Sequence, residues 1–310
     1  MATVLITGGT GMIGKALVKK LSGRGYRVVV LSRKRMQEKI KKSNRNIEFA
    51  KWEIGKKIIE APAISGADHV IHLAGAGIAE KRWTRKRMQD IISSRVDSGT
   101  LLAESLEKIP NQVKTVIAVS AIGYYGPDRN QSHLFSESDP PFPDFLGSTC
   151  RQWEESIEPV TQMGKRLVVL RAGIVLDKEG GALKKFLQPL KVGLAIILGR
   201  GDQIISWIHI DDLVNLFIAA IEKEHISGVY NAVAPGTVTN KEFVLTLAKT
   251  RNKFFIPVRI PAFILKLFLG KLSGELLKSV TVSSGKIQQE GLSFIYPDIQ
   301  SAIKNLLEDS

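Results

Sequence analysis

The run Thr7-Gly8-Gly9-Thr10-Gly11-Met12-Ile13-Gly14 holds the most specific chemistry in the sequence. Gly8, Gly11 and Gly14 are spaced three apart, between an apolar run at 4–7 and a helically spaced run at 13–21. A strand, a glycine turn and a helix start, in that order, form a cradle for a pyrophosphate. Gly8 permits the tight turn, Gly11 keeps a Cβ out of the phosphates' path, and Gly14 lets helix and strand pack closely. The helix start adds unpaired N–H groups and a positive dipole end. The second apolar run ends in Leu31-Ser32-Arg33-Lys34-Arg35. A carboxylate there would bind the ribose 2′-hydroxyl of NAD, and none is present. Ser32 and Arg33 suit a 2′-phosphate instead, the guanidinium as a charge-assisted fork. The expected cofactor is therefore NADP(H). The other reading of this stretch is a solvated basic loop, since Lys39, Lys41, Lys42 and Arg45 follow.

Short β-branched runs at 4–7, 27–32, 47–50, 69–74, 115–120 and 167–171 alternate with helical patterns at 13–21, 84–107 and 145–160. That alternation predicts an α/β fold, a Rossmann-type doubly wound parallel sheet covered on both faces. Further on, a helix is expected at 181–190, a strand at 204–210, a helix to 221 and a strand at 229–232; beyond 240 the pattern is mostly helical. The expected division is a dinucleotide-binding domain over 1–175, to which 204–235 returns. A smaller, mostly helical C-terminal substrate domain takes 176–203 and 236–310. The loop 133–144 carries three prolines and several carboxylates, and loops of that length often serve a site.

The chain has 310 residues, 44% of them hydrophobic, enough for a buried core. Its net charge of +14 favours an acidic partner or anionic cofactor without choosing one. The lone cysteine, Cys150, rules out an intrachain disulfide and a multi-cysteine zinc site. The five histidines lack ligand spacing, so no metal is expected. The N-terminus runs straight into a strand without a basic signal region, and a cytoplasmic location is expected by elimination. The apolar stretch 261–269 is too short to span a bilayer and reads as a buried helix, a membrane-surface helix being the alternative. No membrane partner is expected.

Further along come Val70-Ile71-His72-Leu73-Ala74-Gly75-Ala76, Lys81-Arg82-Trp83, Ser94-Arg95-Val96-Asp97 and Ser120-Ala121-Ile122-Gly123-Tyr124-Tyr125-Gly126. Trp153-Glu154, Leu170-Arg171-Ala172-Gly173-Ile174, Gly180-Gly181-Ala182-Leu183, Trp207-Ile208-His209-Ile210-Asp211-Asp212 and Asn231-Ala232-Val233-Ala234-Pro235 follow. With the glycine loop, this ordered set resembles the extended short-chain dehydrogenases/reductases. Within them it resembles an NAD-dependent epimerase/dehydratase subfamily that carries a C-terminal domain of unknown function. The resemblance implies hydride-transfer chemistry, with or without epimerisation, on a small-molecule substrate of the nucleotide-sugar kind. It also implies a homodimer, and cofactor contacts from Leu73, Ala74, Gly75, Arg95 and Ser120.

The wider superfamily uses a Ser/Thr, a Tyr and a Lys four residues after the Tyr. Aligned on Glu154, the tyrosine position is Leu146 and the lysine position Cys150; the serine position is Ala121, with Ser120 beside it. Leucine exchanges no proton, and a neutral thiol does not replace an ammonium. Two readings stay open: an oxidoreductase or epimerase using other groups, or a catalytically silent NADP-binding protein. The replacement candidates are Tyr124, Tyr125 and Ser120, at the carboxyl end of the fifth predicted strand, with packed, structural tyrosines as the alternative. Arg171 faces a ligand or bridges a loop. His209 is a general base or a buried, locally bonded histidine beside Asp211 or Asp212 as helix cap. The basic run 81–87 reads as a solvated helix start, and no specific nucleic-acid binding is expected.

Overall fold

The structure, a computed structural model, describes residues 1–33, 46–128 and 133–308. Its strands are β1 (Thr3–Thr7), β2 (Arg27–Ser32), β3 (Ile47–Glu53), β4 (Ile58–Ile59), β5 (His69–His72), β6 (Thr115–Ala121), β7 (Arg166–Ala172), β8 (Ile174–Asp177), β9 (Leu194–Leu198), β10 (Ile204–Ile205), β11 (Trp207–His209), β12 (Gly228–Ala232), β13 (Val238–Thr239) and β14 (Ile256–Ile260). Its helices are α1 (Met12–Gly23), α2 (Ala61–Ser65), α3 (Arg85–Lys108), α4 (Phe145–Ile157), α5 (Gly181–Leu190), α6 (Ile210–Glu222), α7 (Asn240–Thr250), α8 (Ala262–Leu269), α9 (Leu272–Leu276), α10 (Gly285–Gln289) and α11 (Ile299–Glu308).

The main sheet has the order β12-β7-β6-β5-β1-β2-β3-β4, parallel throughout except for the β3–β4 edge. Chain order reverses beside β1, which opens a crevice at the carboxyl ends of β1 and β5. Successive side chains of a strand point to opposite faces, and here both faces are apolar. Val4, Ile6, Val28 and Val30 pack under Leu17 of α1 and Phe217 of α6. Leu5, Val29, Val70 and Val116 pack under Leu102 and Leu106 of α3. Double burial explains why these strands lack alternation in the sequence. A second core joins Leu183 of α5, Ile197 of β9, Phe243 and Leu247 of α7 and Ile303 of α11.

Three expectations are corrected. The run 204–210 is not one strand: it breaks at Ser206, so that β10 pairs antiparallel with β13 and β11 pairs parallel with β8. Neither Asp211 nor Asp212 caps α6. The His209 ring does so, Nδ1 accepting from Asp211 N–H at 3.1 Å, while buried Asp212 accepts from the N–H groups of Ile295 and Tyr296. The stretch 261–269 is not a buried helix: only Leu265 of α8 is buried, and Phe263, Leu267 and Phe268 are 72%, 69% and 71% exposed. An eight-residue helix at the surface has one inward stripe, whatever the hydrophobicity of its other faces.

Candidate functional site

Gly8 adopts φ +70°, a left-handed conformation, and a Cβ there would stand 2.9 Å from the Leu73 carbonyl. A Cβ on Gly14 would stand 2.4 Å from the Gly8 oxygen, so helix and turn close on each other through absent side chains. Gly11 differs. It is exposed, has an ordinary φ of −74° as N-cap of α1, and a Cβ there would meet nothing beyond the Gly8 oxygen at 3.3 Å. Its N–H donates to Gly8 O at 3.0 Å. No side chain caps α1, and its first turn has no acidic residue. The exposed Thr10-Gly11 tip and the half-buried Met12 and Ile13 therefore form an open, electropositive helix start. Ser32 and Arg33 follow Leu31, which pairs with Thr7 at the foot of this turn; Arg33 is exposed. Lys34, Arg35, Lys39, Lys41, Lys42 and Arg45 lie outside the described residues.

Thr7 ties the turn to the end of β5. Its hydroxyl oxygen accepts from the N–H groups of Leu73 and Ala74 at 3.1 and 3.2 Å. Its own proton is then directed to His72 Nδ1, 2.8 Å away. His72 Nε2 therefore carries the ring proton and faces Ser98 Oγ at 3.4 Å, while Ser98 donates to the Arg95 carbonyl at 2.9 Å. This chain needs a neutral imidazole, and complete burial pushes the His72 pKa down to about 4. Arg95 is buried beside Gly75: Nη1 donates to the carbonyls of Ala76 and Ile91, and the guanidinium lies over Trp153, 4.8 Å from the ring centroid. Burial lowers its pKa. Leu73, Ala74, Gly75 and Arg95 thus share one wall with the glycine turn.

On the other side of the crevice, Ser120, Arg171 and Asn231 sit in register across β6, β7 and β12. The Ser120 hydroxyl is buried and has no hydrogen-bond partner among the described residues. Arg171 is the hub. Nε and Nη2 donate to the two Glu154 oxygens at 2.9 and 2.8 Å, and Nη1 donates to Tyr125 OH at 2.9 Å and the Glu137 carbonyl at 3.4 Å. The guanidinium also lies 3.5 Å from the centroid of the Tyr124 ring. Burial alone would lower the Arg171 pKa; the Glu154 carboxylate outweighs it and holds the cation charged. Of the two alternatives for Arg171, the structure has it bridging α4 and the loop 133–144.

Tyr125 is 1% exposed beneath Phe135, Val233 and Val282, and its hydroxyl donates to Asn231 Oδ1 at 2.6 Å. Burial pushes its pKa up to about 12. Tyr124 is half-buried, and burial raises its pKa against the opposing pull of Arg171. Leu146 lies against Gly123, where a Cβ would stand 3.3 Å from it, in an apolar cluster with Trp83, Phe145, Leu272 and Leu276. Cys150 is buried near Arg95 and Ala121, and burial pushes its thiol up to about 12. The segments 120–126, 145–150 and 171–174 thus meet. A groove of about 750 Å³ among Met12, Lys19, His209, Asp211 and Asn305 lies away from these groups, on the sheet face that α1 and α6 cover.

Glu154 and Asn231 stand in segments that carry the resemblance, without an implied role, and Glu137 carries no distinctive spacing in the sequence; all three are components of this network. The signal for Glu137 was the acidic loop itself; its carboxylate accepts from Asn231 N–H at 2.7 Å. Asp144 in the same loop caps α4 and pairs with Lys278 at 2.6 Å, Lys278 in turn pairing with Glu275.

Residues 4–147 match the NAD dependent epimerase/dehydratase family, and residues 260–306 match a domain of unknown function, DUF1731. Epimerase family protein SSP1921 of Staphylococcus saprophyticus is 35% identical over 307 residues, covering 99% of this chain and 100% of that protein. The human epimerase family protein SDR39U1, solved with NADPH, superposes with a TM-score of 0.86 at 29% identity, covering 99% of this chain and 100% of that one. A nucleoside-diphosphate sugar epimerase from Corynebacterium glutamicum gives a TM-score of 0.77 at 31% identity, covering 99% of this chain and 58% of that one. The glycine turn, the parallel sheet reversing beside it and the full-length likeness to the Staphylococcus and human proteins place the chain in the NAD dependent epimerase/dehydratase family, with the C-terminal domain of unknown function attached.

Proposed function

We propose that this chain binds NADP(H) along the carboxyl edge of β1, β2, β5 and β6 and uses it to reduce a carbonyl on a small-molecule substrate. The observation that carries the cofactor reading is Gly11: an uncapped helix start whose one missing Cβ points at no protein atom beyond its own turn. Thr10, Gly11, Met12, Ile13 and Gly14 would hold the pyrophosphate, with Gly8 shaping the turn. Ser32 and Arg33 would take the 2′-phosphate, in keeping with the NADPH of the human relative. Leu73, Ala74, Gly75 and Arg95 would form the adjoining wall, with Ser120 on the far side. When bound, the nicotinamide supplies or accepts a hydride.

The proton has to come from this chain. Leu146 and Cys150 do not provide it: one has no titratable group, and the thiol of the other is buried against Arg95 and Ala121. Tyr125 has its hydroxyl engaged on both sides by Asn231 and Arg171. That leaves Tyr124, stacked on Arg171, as the acid, with the unpartnered Ser120 hydroxyl to orient the substrate oxygen. A phenol whose pKa is raised stays protonated at neutral pH. It suits giving a proton to an alkoxide better than taking one from an alcohol, so the arrangement favours reduction over a reversible epimerisation. Nucleotide sugars are the first substrate class to try, from the Corynebacterium likeness and the cationic chain.

The second reading, a silent NADP-binding protein acting through a partner, rests on Leu146, which the count from Glu154 puts at the tyrosine position and which packs in an apolar cluster. One experiment separates the two. Purified protein with NADPH is screened by nicotinamide absorbance against nucleotide sugars and simple carbonyl compounds. Turnover lost in Tyr124→Phe and kept in Cys150→Ala supports the enzyme reading. Tight NADPH binding with no turnover across the screen favours the silent binder.

A further inference from the structure

The helix α8 stands on the surface with Phe263, Leu267 and Phe268 each more than two-thirds exposed. Phe263 and Leu267 are one turn apart on one face, with buried Leu265 opposite them, and exposed Phe268 lies at the flank, about 100° round from Leu267. The segment 251–274 around it contains Arg251, Lys253, Arg259, Lys266 and Lys271 and not one Asp or Glu. Arg82 adds a further cation beside the helix end, its Nε 3.0 Å from where a Gly270 Cβ would stand. Lys253, Arg259, Lys266, Lys271 and Arg82 are exposed and pair with no carboxylate among the described residues. Two other large apolar side chains of the segment, Phe254 and Ile256, are 83% and 50% exposed.

We propose that α8 docks the chain on the surface of an anionic bilayer. Phe263, Leu267 and Phe268 would enter the boundary between headgroups and acyl chains, while Lys266, Lys271 and Arg82 meet lipid phosphates. A short helix with a bare apolar face and a purely cationic surround is the pattern of an interfacial helix. No described helix is long and apolar enough to cross a membrane, so contact is from one side only. Charge decides between occupants. A second copy meeting this face isologously would set cation against cation, with no carboxylate in the segment to offset it. A lipid surface supplies the missing negative charge and an apolar phase together. The helix adjoins the candidate site, because Leu269 on its inward side, with Leu272 and Leu276 of α9, packs in the cluster of Trp83, Phe145 and Leu146.

The test is co-sedimentation of the full chain with vesicles of phosphatidylcholine alone or of equimolar phosphatidylcholine and phosphatidylglycerol. Binding is expected to the anionic vesicles only and is expected to weaken with salt. Changing Phe263, Leu267 and Phe268 to serine, singly and together, separates insertion from plain attraction of a +14 chain. Each change is expected to weaken partition about tenfold, the factor matching ~1.4 kcal/mol, near the lower limit of what burying such a side chain contributes. NADPH affinity, measured in parallel, is expected to stay the same, which shows that the variants are folded. Lys266→Glu with Lys271→Glu is expected to weaken anionic binding as well. The proposal is overturned if wild type ignores anionic vesicles, or if the triple variant binds them as wild type does. It is equally overturned if light scattering shows a dimer that the triple variant dissociates, since the face would then belong to a second copy.

Discussion

Replacing Glu154 with glutamine removes the charge that keeps Arg171 buried while leaving the shape of the side chain. The side chains of Arg171 and Glu154 are 4% and 14% exposed and meet through two hydrogen bonds of 2.8 and 2.9 Å. Breaking such a pair from one side leaves an uncompensated charge and costs about 3–5 kcal/mol. The amide keeps one acceptor, and Arg171 keeps Tyr125 OH and the Glu137 carbonyl, so the low end, about 3 kcal/mol, is expected. For a chain of this size that lowers the thermal midpoint by about 5 °C. Urea unfolding followed by tryptophan fluorescence measures it, alongside Arg171→Met and the double variant Arg171→Met/Glu154→Leu. The double variant is expected to be more stable than either Glu154→Gln or Arg171→Met, because no lone charge remains. NADPH affinity is expected to hold, and any turnover to fall as the clamp on Tyr124 loosens. A loss below about 1 kcal/mol in Glu154→Gln would refute the claim that this carboxylate sustains the buried cation.

Arg33→Ala is expected to weaken NADPH binding by about 1.5–3 kcal/mol, the worth of a charge-assisted contact, and to leave NADH binding unchanged; calorimetric titration with both cofactors checks it. Tyr125→Phe is expected to destabilise the fold by about 1–3 kcal/mol, since it strands the Asn231 oxygen, whereas Tyr124→Phe is expected to change turnover and not stability. The His72 pKa is about 4 in the folded chain against 6.5 for a free imidazole, so the unfolded chain takes up the proton first as pH falls. Stability is then complete above about pH 6.5 and declines toward pH 4, by on the order of 3 kcal/mol in all. Urea midpoints across that range, flatter in His72→Gln than in wild type, are the check.

The parts of this fold legible in the sequence are those set by short-range rules. Glycines at 8 and 14 announce a turn because backbone approach tolerates no Cβ there, and the doubly buried strands announce themselves as unbroken apolar runs. Pairings made across long separations were not legible. Nothing near Leu194 or Ile256 indicates that β9 and β14 run side by side. The break at Ser206 follows from bonds to distant partners, its backbone carbonyl accepting from Ile174 and its hydroxyl donating to Val280. At the site, counting from Glu154 puts Leu146 and Cys150 at the expected tyrosine and lysine positions, but the role of Glu154 as the counter-ion of Arg171 depends on β7 lying under α4. The stretch of α8 reads as a buried helix because all its residues but Lys266 are apolar, and composition does not say which face finds a core.

The most direct test of the cofactor site is the affinity of Gly11→Val for NADPH, with circular dichroism as the control for folding. The φ of −74° at Gly11 suits any residue, and a Cβ there meets only the Gly8 oxygen, at 3.3 Å, so a shift of a few tenths of an ångström in the turn is expected to let the variant fold. Wild type is expected to bind NADPH at least about tenfold more tightly than NADH, matching a contact of ~1.4 kcal/mol or more, and folded Gly11→Val to bind neither. Wild-type affinity in the folded variant would contradict the placement of the dinucleotide on this turn.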